Sequence, residues 1–173
     1  MIFIHDKKFF SELNSEFVMD DLDRRILEAL QKDARRKNAD LAKDLGVAPS
    51  TMLERVRRLK ERGYFDGYRT IINPEKLGYT IRALISVSLS EHSTETIRPF
   101  ETAVKKMPNI LTCYHVTGRF DYIVYVVAKN LNHLGLLVKE QIASIPGVGK
   151  TETFIVFSEI KKENGYPLEM LDD

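Results

Sequence analysis

The chain has 173 residues, of which 43% are hydrophobic, and its formal net charge is +1. This length allows one sizeable domain or two small ones, each with a packed core. The single cysteine, Cys113, excludes an intrachain disulfide and favours a reducing, intracellular setting. No apolar run approaches the roughly 18 residues that cross a bilayer. Because the overall charge says nothing about partners, any interaction surface has to be found in the local distribution of charge.

Residues 1–18 precede the first clear helical pattern and are interpreted as an N-terminal extension. Their apolar pieces are short and are interrupted by polar and charged residues at positions 5–8, which is not the pattern of a signal peptide. The extension is either a short amphipathic helix or lies upstream of a true start at Met19. We expect the protein to be soluble and cytoplasmic.

Two helices are predicted at the start of the main pattern. The first has Asp20 or Asp21 as its N-cap, because a short side-chain oxygen accepts hydrogen bonds from the free amides of the first turn. Its apolar residues recur at helical spacing: Leu22, Ile26, Leu27 and Leu30. The second runs from Asn38 as N-cap to Gly46, which suits the positive φ that ends many helices.

A third helix is predicted from Pro49, which suits a first helical position, to about Arg62. We expect its residues spaced by three to face the core: Leu53, Val56 and Leu59. A helix, a glycine turn and a second helix form the helix-turn-helix arrangement, in which the second helix enters the major groove of DNA.

This third helix and the residues after it carry a local basic charge. Between Pro49 and Arg69, six basic residues minus three acidic ones leave +3. The residues expected on the outward side of the helix are Ser50, Thr51, Glu54, Arg55 and Arg58. Arginine can pair bidentately with guanine, and Ser and Thr can bond bases or phosphates. Arg57 and Lys60 flank this face and suit phosphate contacts.

The segment "YFDGYRTII" after this helix is predicted to be a β-hairpin, because Asp66–Gly67 is a strong turn dipeptide between residues that favour strands. Such a hairpin would form a wing from which Arg69 could reach a neighbouring phosphate. Asn73–Pro74 and Gly78 then interrupt regular structure, so a hinge is predicted at residues 73–80.

The remainder of the chain alternates strands and helices in the order βαββαβ. Its first strand, "IRALISVSLS", alternates apolar and polar residues as a half-buried strand does. A proline lies between helix and strand in both halves, at Pro108 and Pro146, which favours a ferredoxin-like repeat. The strand Tyr122–Ala128 is apolar on both faces, although helices are expected to cover only one face of the sheet. We therefore expect a second copy of the chain to cover the other face.

These segments resemble the leucine-responsive/asparagine regulators, the Lrp/AsnC or feast/famine family of transcription factors. The resemblance rests on "LDRRILEALQKDAR", "ADLAKDLGVAPSTMLERVRRLKERGYFDGY", "INPEKLGY" and "VTGRFDY", in order and at the same spacing, from about Met19 to Lys161. One departure is Ala48, which stands where the family often has a Ser or Thr helix cap. The resemblance implies an α+β chain with an N-terminal winged helix-turn-helix domain and a C-terminal ferredoxin-like βαββαβ domain.

The function implied by the resemblance is that of an amino-acid-responsive regulator that binds double-stranded DNA. The family dimerises through its C-terminal sheet, and the dimers commonly assemble into octamers. The domain organisation is then an extension at 1–18, a DNA-binding domain at 19–72, a hinge at 73–80, an effector-binding and oligomerisation domain at 81–161 and a tail at 162–173.

The family's effector pocket lies between dimers at a Gly-x-x-Asp turn. The effector-binding residues implied here are Thr117, Gly118, Arg119, Phe120 and Asp121. Gly118 would let backbone amides approach a ligand closely, and Asp121 could receive an ammonium group. Many members have an acidic or amide residue in place of Arg119. This arginine would favour an acidic ligand, pair with Asp121 and close the site, or point to solvent.

An enzyme is the alternative function, because sirohaem decarboxylases resemble the same two-domain architecture and use histidines near a tetrapyrrole pocket. The histidines of this chain are His5, His92, His115 and His133, and none has a second histidine or a carboxylate at catalytic or metal spacing. A decarboxylase also has no use for a basic recognition helix. A metabolite-binding module that no longer binds DNA is a third alternative. We expect no enzymatic activity, no metal site, and no cofactor beyond a possible amino-acid effector.

Overall fold

The structure, a computed structural model, describes residues 19–168, which divide into two compact units. The first unit contains the described residues up to Thr70 together with those from Lys162 onward, and the second contains Ile71–Lys161. The prediction for residues 1–18 lies outside the described residues. Within the described part of the chain, no helix is long and apolar enough to cross a membrane.

The described residues of the first unit form three helices: α1 (Asp21–Lys32), α2 (Asn38–Leu45) and α3 (Pro49–Glu61). Helix α1 begins with a capping box, in which the Asp23 amide donates to Asp20 Oδ1 at 2.9 Å. Gly46 ends α2 with a φ of +70°, as predicted. Ala48 precedes α3 and gives it no side-chain cap.

The core of the first unit draws on all three helices. Its fully packed residues are Ile26, Leu27, Leu30, Leu41, Ala42, Met52 and Leu59, with Val56 partly buried against them. The expectation that Leu53 faces inward is wrong, since its side chain is 59% exposed. A strict spacing of three drifts around an α-helix by roughly 60° per step. Met52, Val56 and Leu59 stay on one face because they are spaced by four and three.

The predicted wing is absent, because residues 64–73 form no strand. A tight hairpin needs positive φ in its turn, and Gly67 has no positive φ. The segment instead packs Phe65 against the helical core, with the Tyr68 ring 5.6 Å from the Phe65 ring. The first unit is therefore a helix-turn-helix without a β-wing, and a short 3₁₀ turn at Glu75–Leu77 follows.

The second unit is a four-stranded antiparallel sheet in the order β2-β3-β1-β4. Its strands are β1 (Ile81–Leu89), β2 (Ile110–His115), β3 (Tyr122–Ala128) and β4 (Val148–Ile155). The helices are α4 (Thr94–Lys105) and α5 (Leu131–Leu136), and α5 continues into a π-helical turn at Leu137–Ile142. This arrangement confirms the predicted ferredoxin-like βαββαβ fold.

The two faces of the sheet differ in what covers them. One face packs against the helices and is fully buried at Ala83, Ile85, Val87, Tyr122, Val124 and Val126. The opposite face, here called the open face, carries Leu84, which pairs with Tyr125 on one side and Phe154 on the other. Leu84 is 39% exposed and Phe154 is 50% exposed.

Candidate DNA interface and effector turn

Helix α3 is fastened to α1 by a buried carboxylate. Asp23 is fully buried, and its Oδ1 accepts a hydrogen bond at 3.0 Å from Arg55 Nη1. Its Oδ2 lies 3.4 Å from Arg58 Nη2. A buried carboxylate needs such charged partners, because its desolvation is otherwise costly. The prediction that Arg55 and Arg58 stand on the outward side of α3 is therefore wrong, since both turn toward α1.

The same contact includes Asp20, which also pairs with Arg55. Burial raises the pKa of the Asp20 carboxyl, but the hydrogen bonds from Arg55 and from the Asp23 amide outweigh burial and lower it. Asp20 thus caps α1, accepts from α3 and stays ionised. The contacts of Asp20 and Asp23 with Arg55 span more than thirty residues of sequence, so no local pattern could have predicted them.

The outward side of α3 carries a different set of residues. Those exposed along one face are Ser50, Leu53, Glu54, Arg57, Lys60 and Glu61, with Thr51 exposed beside them. The spacing of three assigns Leu53 to the core, so it is not among the outward residues predicted from the sequence. If Met52 is placed in the core instead, Leu53 falls on the exposed side of the helix. Arg69 lies in the irregular segment after the helix and lines a cavity of about 210 Å³ in the first unit.

Arg57 is the central cation of this outward face, and two glutamates balance its charge. Its Nη2 lies 2.8 Å from Glu54 Oε1, and its Nη1 lies 3.0 Å from Glu61 Oε1. All three side chains are more than half exposed, so water screens these pairs and they contribute little to stability. A phosphate could therefore draw Arg57 away from the glutamates.

The Gly-x-x-Asp turn connects β2 to β3. Gly118 has a φ of +126°, a conformation that favours glycine. The Asp121 amide donates to the Val87 carbonyl at 3.0 Å, and the Asp121 carbonyl accepts from the Val116 amide at 2.9 Å. The main chain thus fixes this turn against the end of β1.

The side chain of Asp121 has a partner on each oxygen. Oδ2 accepts from the Leu89 amide at 2.7 Å, and Oδ1 lies 2.6 Å from His92 Nε2. Burial raises the pKa of the Asp121 carboxyl, but the Leu89 amide and His92 outweigh burial and hold it below its ordinary value. Sequence reasoning gave His92 no role, because its partner lies 29 residues further along the chain.

Arg119 does not pair with Asp121. Its Nη2 lies 3.3 Å from Glu152 Oε2 on β4, its guanidinium carbon lies 4.8 Å from the centre of the Phe120 ring, and its side chain is 75% exposed. Lys150 shares Glu152 at 2.8 Å. Thr117 is exposed next to Gly118. The turn therefore presents an exposed cation beside a carboxylate that is already hydrogen-bonded.

The remaining histidine near the turn, His115, stacks on Tyr122 with ring centres 4.8 Å apart. The Tyr122 hydroxyl donates to Glu101 at 3.0 Å. Over residues 19–168, no group of His, Cys, Asp and Glu side chains is arranged to hold a metal ion.

Comparisons with known proteins agree with both halves of this description. Residues 19–60 match the AsnC-type helix-turn-helix domain, and residues 82–166 match the Lrp/AsnC ligand binding domain. The leucine-responsive regulatory protein of Escherichia coli (strain K12) is 36% identical over 146 residues, which are 84% of this chain and 89% of that protein.

Two solved structures resemble the fold over most of its length. A transcriptional regulator from Neisseria meningitidis, solved as a complex with L-Met, matches with a TM-score of 0.83 and 28% identity, covering 87% of this chain and 97% of that chain. AsnC from Escherichia coli matches with a TM-score of 0.78 and 30% identity, covering 85% of this chain and 97% of that chain.

Proposed function

Since the chain belongs to the Lrp/AsnC family of transcriptional regulators, we propose that it binds DNA through the outward side of α3 and that an amino acid at the effector turn, residues 117–121, changes this binding. The proposal that the chain binds DNA through α3 rests on the observation that this helix has two different sides. One side is fixed to α1 by Asp23, and the other presents hydroxyl, apolar and basic groups to solvent.

The proposed DNA contacts follow from this division. Ser50 and Thr51 lie at the N-terminal end of α3, the part of a recognition helix that commonly reaches base edges. Ala48 gives no side-chain cap, so the first amides of α3 remain available to a phosphate oxygen. Leu53 is placed to contact a thymine methyl group.

The charged residues divide into two groups under this proposal. Arg57, Lys60 and Arg69 contact phosphates, and Glu54 limits non-specific attraction to DNA by pairing with Arg57. Arg55 and Arg58 act as positioning residues, because their contacts with Asp23 set the angle between α3 and α1.

The effector half rests on the charges of the turn and on the relatives. A free α-amino acid carries one ammonium and one carboxylate, and the turn offers Asp121 and Arg119 as partners of opposite charge. The Neisseria meningitidis regulator was solved with L-Met, and the Escherichia coli relative is described as leucine-responsive. Asp121 Oδ1 already has His92 as a partner, so an ammonium group there would share this oxygen with His92 or replace it.

The assembly is proposed to be a homodimer that associates further, up to an octamer. Leu84, Tyr125 and Phe154 form an apolar row across the open face, which one chain leaves exposed. A second copy would bury this row. Because the partner is the chromosome, we propose that the protein works in the cytoplasm.

The decarboxylase alternative gains no support from the histidines of the second unit, and we propose that the protein is not an enzyme. His92 is held by Asp121, and His115 is stacked on Tyr122.

A selection of bound genomic fragments, with and without a panel of the common amino acids, tests both halves of the proposal. We expect pseudo-palindromic fragments to be enriched, because a two-fold dimer presents two α3 helices. We also expect one or more amino acids to change the enriched set or the footprint length. Failure to retain any fragment at low salt would refute DNA binding, whereas retention without any amino-acid effect would refute only the effector half.

A further inference from the structure

The end of the described chain returns to the DNA-binding unit. Strand β4 ends at Ile155 in the second unit, but the residues from Lys162 onward belong to the first unit. The Tyr166 amide donates to Gln31 Oε1 at 2.6 Å, and Gln31 Nε2 donates to the Tyr166 carbonyl at 3.2 Å. The side-chain amide of Gln31 on α1 thus hydrogen-bonds both the amide and the carbonyl of Tyr166, as the main chain of a neighbouring β-strand would.

Two flanking residues complete this contact. Gly165, with a φ of +95°, passes so close to Gln31 that a Cβ atom there would overlap the Gln31 side chain. Leu168 packs against the helical core and lines the 210 Å³ cavity together with Leu27, Leu30 and Phe65. Close approach, main-chain pairing and apolar burial therefore occur within four consecutive residues.

We propose that residues 165–168 are a docking segment for the DNA-binding unit and that Gln31 with the adjoining apolar cavity is its receptor. The occupant is the tail of the same chain. The DNA-binding unit is then connected to the second unit twice, through the segment that begins at Ile71 and through residues 156–161. A second connection restricts how far the unit can rotate on a single hinge.

The regulatory part of this proposal rests on the proposed function. The docking segment follows β4, and β4 carries Glu152, the ion-pair partner of Arg119 on the effector turn. A ligand that takes Arg119 from Glu152 acts on the strand from which the tail extends. The tail thereby gives the effector turn a second route to α1 besides the hinge, through the chain after β4 and the hydrogen bonds between Tyr166 and Gln31.

Hydrogen exchange of the full-length protein tests the docking itself. We expect the Tyr166 amide to be protected, and Gln31→Ala and Leu168→Ser each to speed its exchange about tenfold, because each variant removes part of the docking contact. Gln141→Ala, the same change at an exposed glutamine of the second unit, is the matched control and leaves exchange at Tyr166 unchanged. Exchange at the rate of an open chain in the wild type, or equal rates in wild type and Gln31→Ala, would overturn the docking.

Cross-linking identifies the source of the tail. In a Cys113→Ser background, Ala34→Cys and Leu168→Cys line the same cavity and leave both Gln31 hydrogen bonds in place. A short thiol cross-linker should join the two cysteines within one chain, so that the double variant gives no covalent dimer. Co-assembled single-cysteine chains should not link to each other; a link between chains would show exchange between copies and overturn the same-chain assignment.

A chain ended after Lys161 and the Gln31→Ala variant together test the regulatory role. Both are expected to keep operator affinity within about threefold of wild type, because neither change removes a residue that is proposed to contact DNA. Both should lose most of the change in affinity that an effective amino acid causes in the wild type. If both respond as the wild type does, the second connection has no regulatory role. A wild type that binds no DNA would instead refute the proposed function. The hydrogen-exchange experiment would still decide whether the tail docks on α1.

Discussion

The carboxylate of Asp23 on α1 and the guanidinium of Arg55 on α3 form a 3.0 Å ion pair whose acidic side is fully buried. The arginine side chain is 24% exposed, so the pair lies at the edge of the helical core. This relationship fixes the recognition helix from its inner side. It also explains why Arg57 is much more exposed than Arg55.

Asp23→Asn is expected to destabilise the DNA-binding unit by about 2–3 kcal/mol, since it removes the buried carboxylate that pairs with both Arg55 and Arg58, although Asp20 still pairs with Arg55. The estimate lies at the low end for a broken buried pair because both arginines still reach water. Urea unfolding followed by circular dichroism measures the change. Asp44→Asn is the matched control, since Asp44 pairs with Arg36 at the surface and should change stability by less than about 0.5 kcal/mol. Equal losses of stability in the two variants would contradict the claim that the buried Asp23 carboxylate fastens α3 to α1.

Glu54→Gln is expected to strengthen binding to non-specific duplex DNA. The substitution removes a negative charge from the outward face and leaves Arg57 with one glutamate partner, Glu61, so that a phosphate competes for it more easily. The slope of log affinity against log salt should steepen by up to about one, the contribution of one further phosphate contact. Glu95→Gln, in the first turn of α4, removes a charge in the other unit and should leave the slope unchanged. A fall in non-specific affinity with Glu54→Gln would show that Glu54 itself contacts DNA.

Leu84→Asp should give a folded chain that does not dimerise. Leu84 is 39% exposed in one chain and lies in the apolar row of the open face, so a charge there opposes burial by a second copy. Val124→Asp is the contrasting variant. Val124 is fully buried under the helices, so its substitution should unfold the second unit. Light scattering reports mass and circular dichroism reports folding; a Leu84→Asp variant that keeps the wild-type mass would exclude this face as the interface.

The stability of the second unit should fall in acid through Asp121. Its pKa is lowered in the folded state from the ordinary 3.8 by the Leu89 amide and by His92, which outweigh burial. A lowered folded pKa means that the contribution is fully present above pH 3.8 and is lost as the pH falls through the folded value. Asp121→Asn should cost about 1–2 kcal/mol at neutral pH and should flatten this part of the acid profile. Urea titrations at several pH values measure both effects, and an unchanged acid profile in Asp121→Asn would exclude this carboxyl as the cause.

Local patterns predicted the elements that depend on neighbours in the sequence. The cap at Asp20, the positive φ of Gly46 and the start of α3 at Pro49 were readable because each involves residues within one or two turns. The alternation in β1 likewise indicated which face is buried, and the structure has the inward residues where the pattern placed them.

The features that were missed depend on distant parts of the chain. The partner of Arg55 is 32 residues away, and His92 and Asp121 meet across the end of β1. The hairpin prediction was wrong. Asp66–Gly67 suits a turn when only its neighbours in the sequence are considered, but the packing of Phe65 against the helical core holds this segment in another conformation. Tertiary burial decided in this case against a local preference.

The central claim is that the outward side of α3 binds DNA, and the salt dependence of affinity for a selected operator tests it most directly. Arg57→Gln with Lys60→Gln is expected to weaken binding to all duplexes and to reduce the log–log salt slope by about two. Lys105→Gln with Lys106→Gln removes the same charge at the end of α4 and is expected to leave the slope at the wild-type value. Equal slopes for the wild type and the Arg57–Lys60 variant would contradict the claim and would place the DNA contacts elsewhere on the chain.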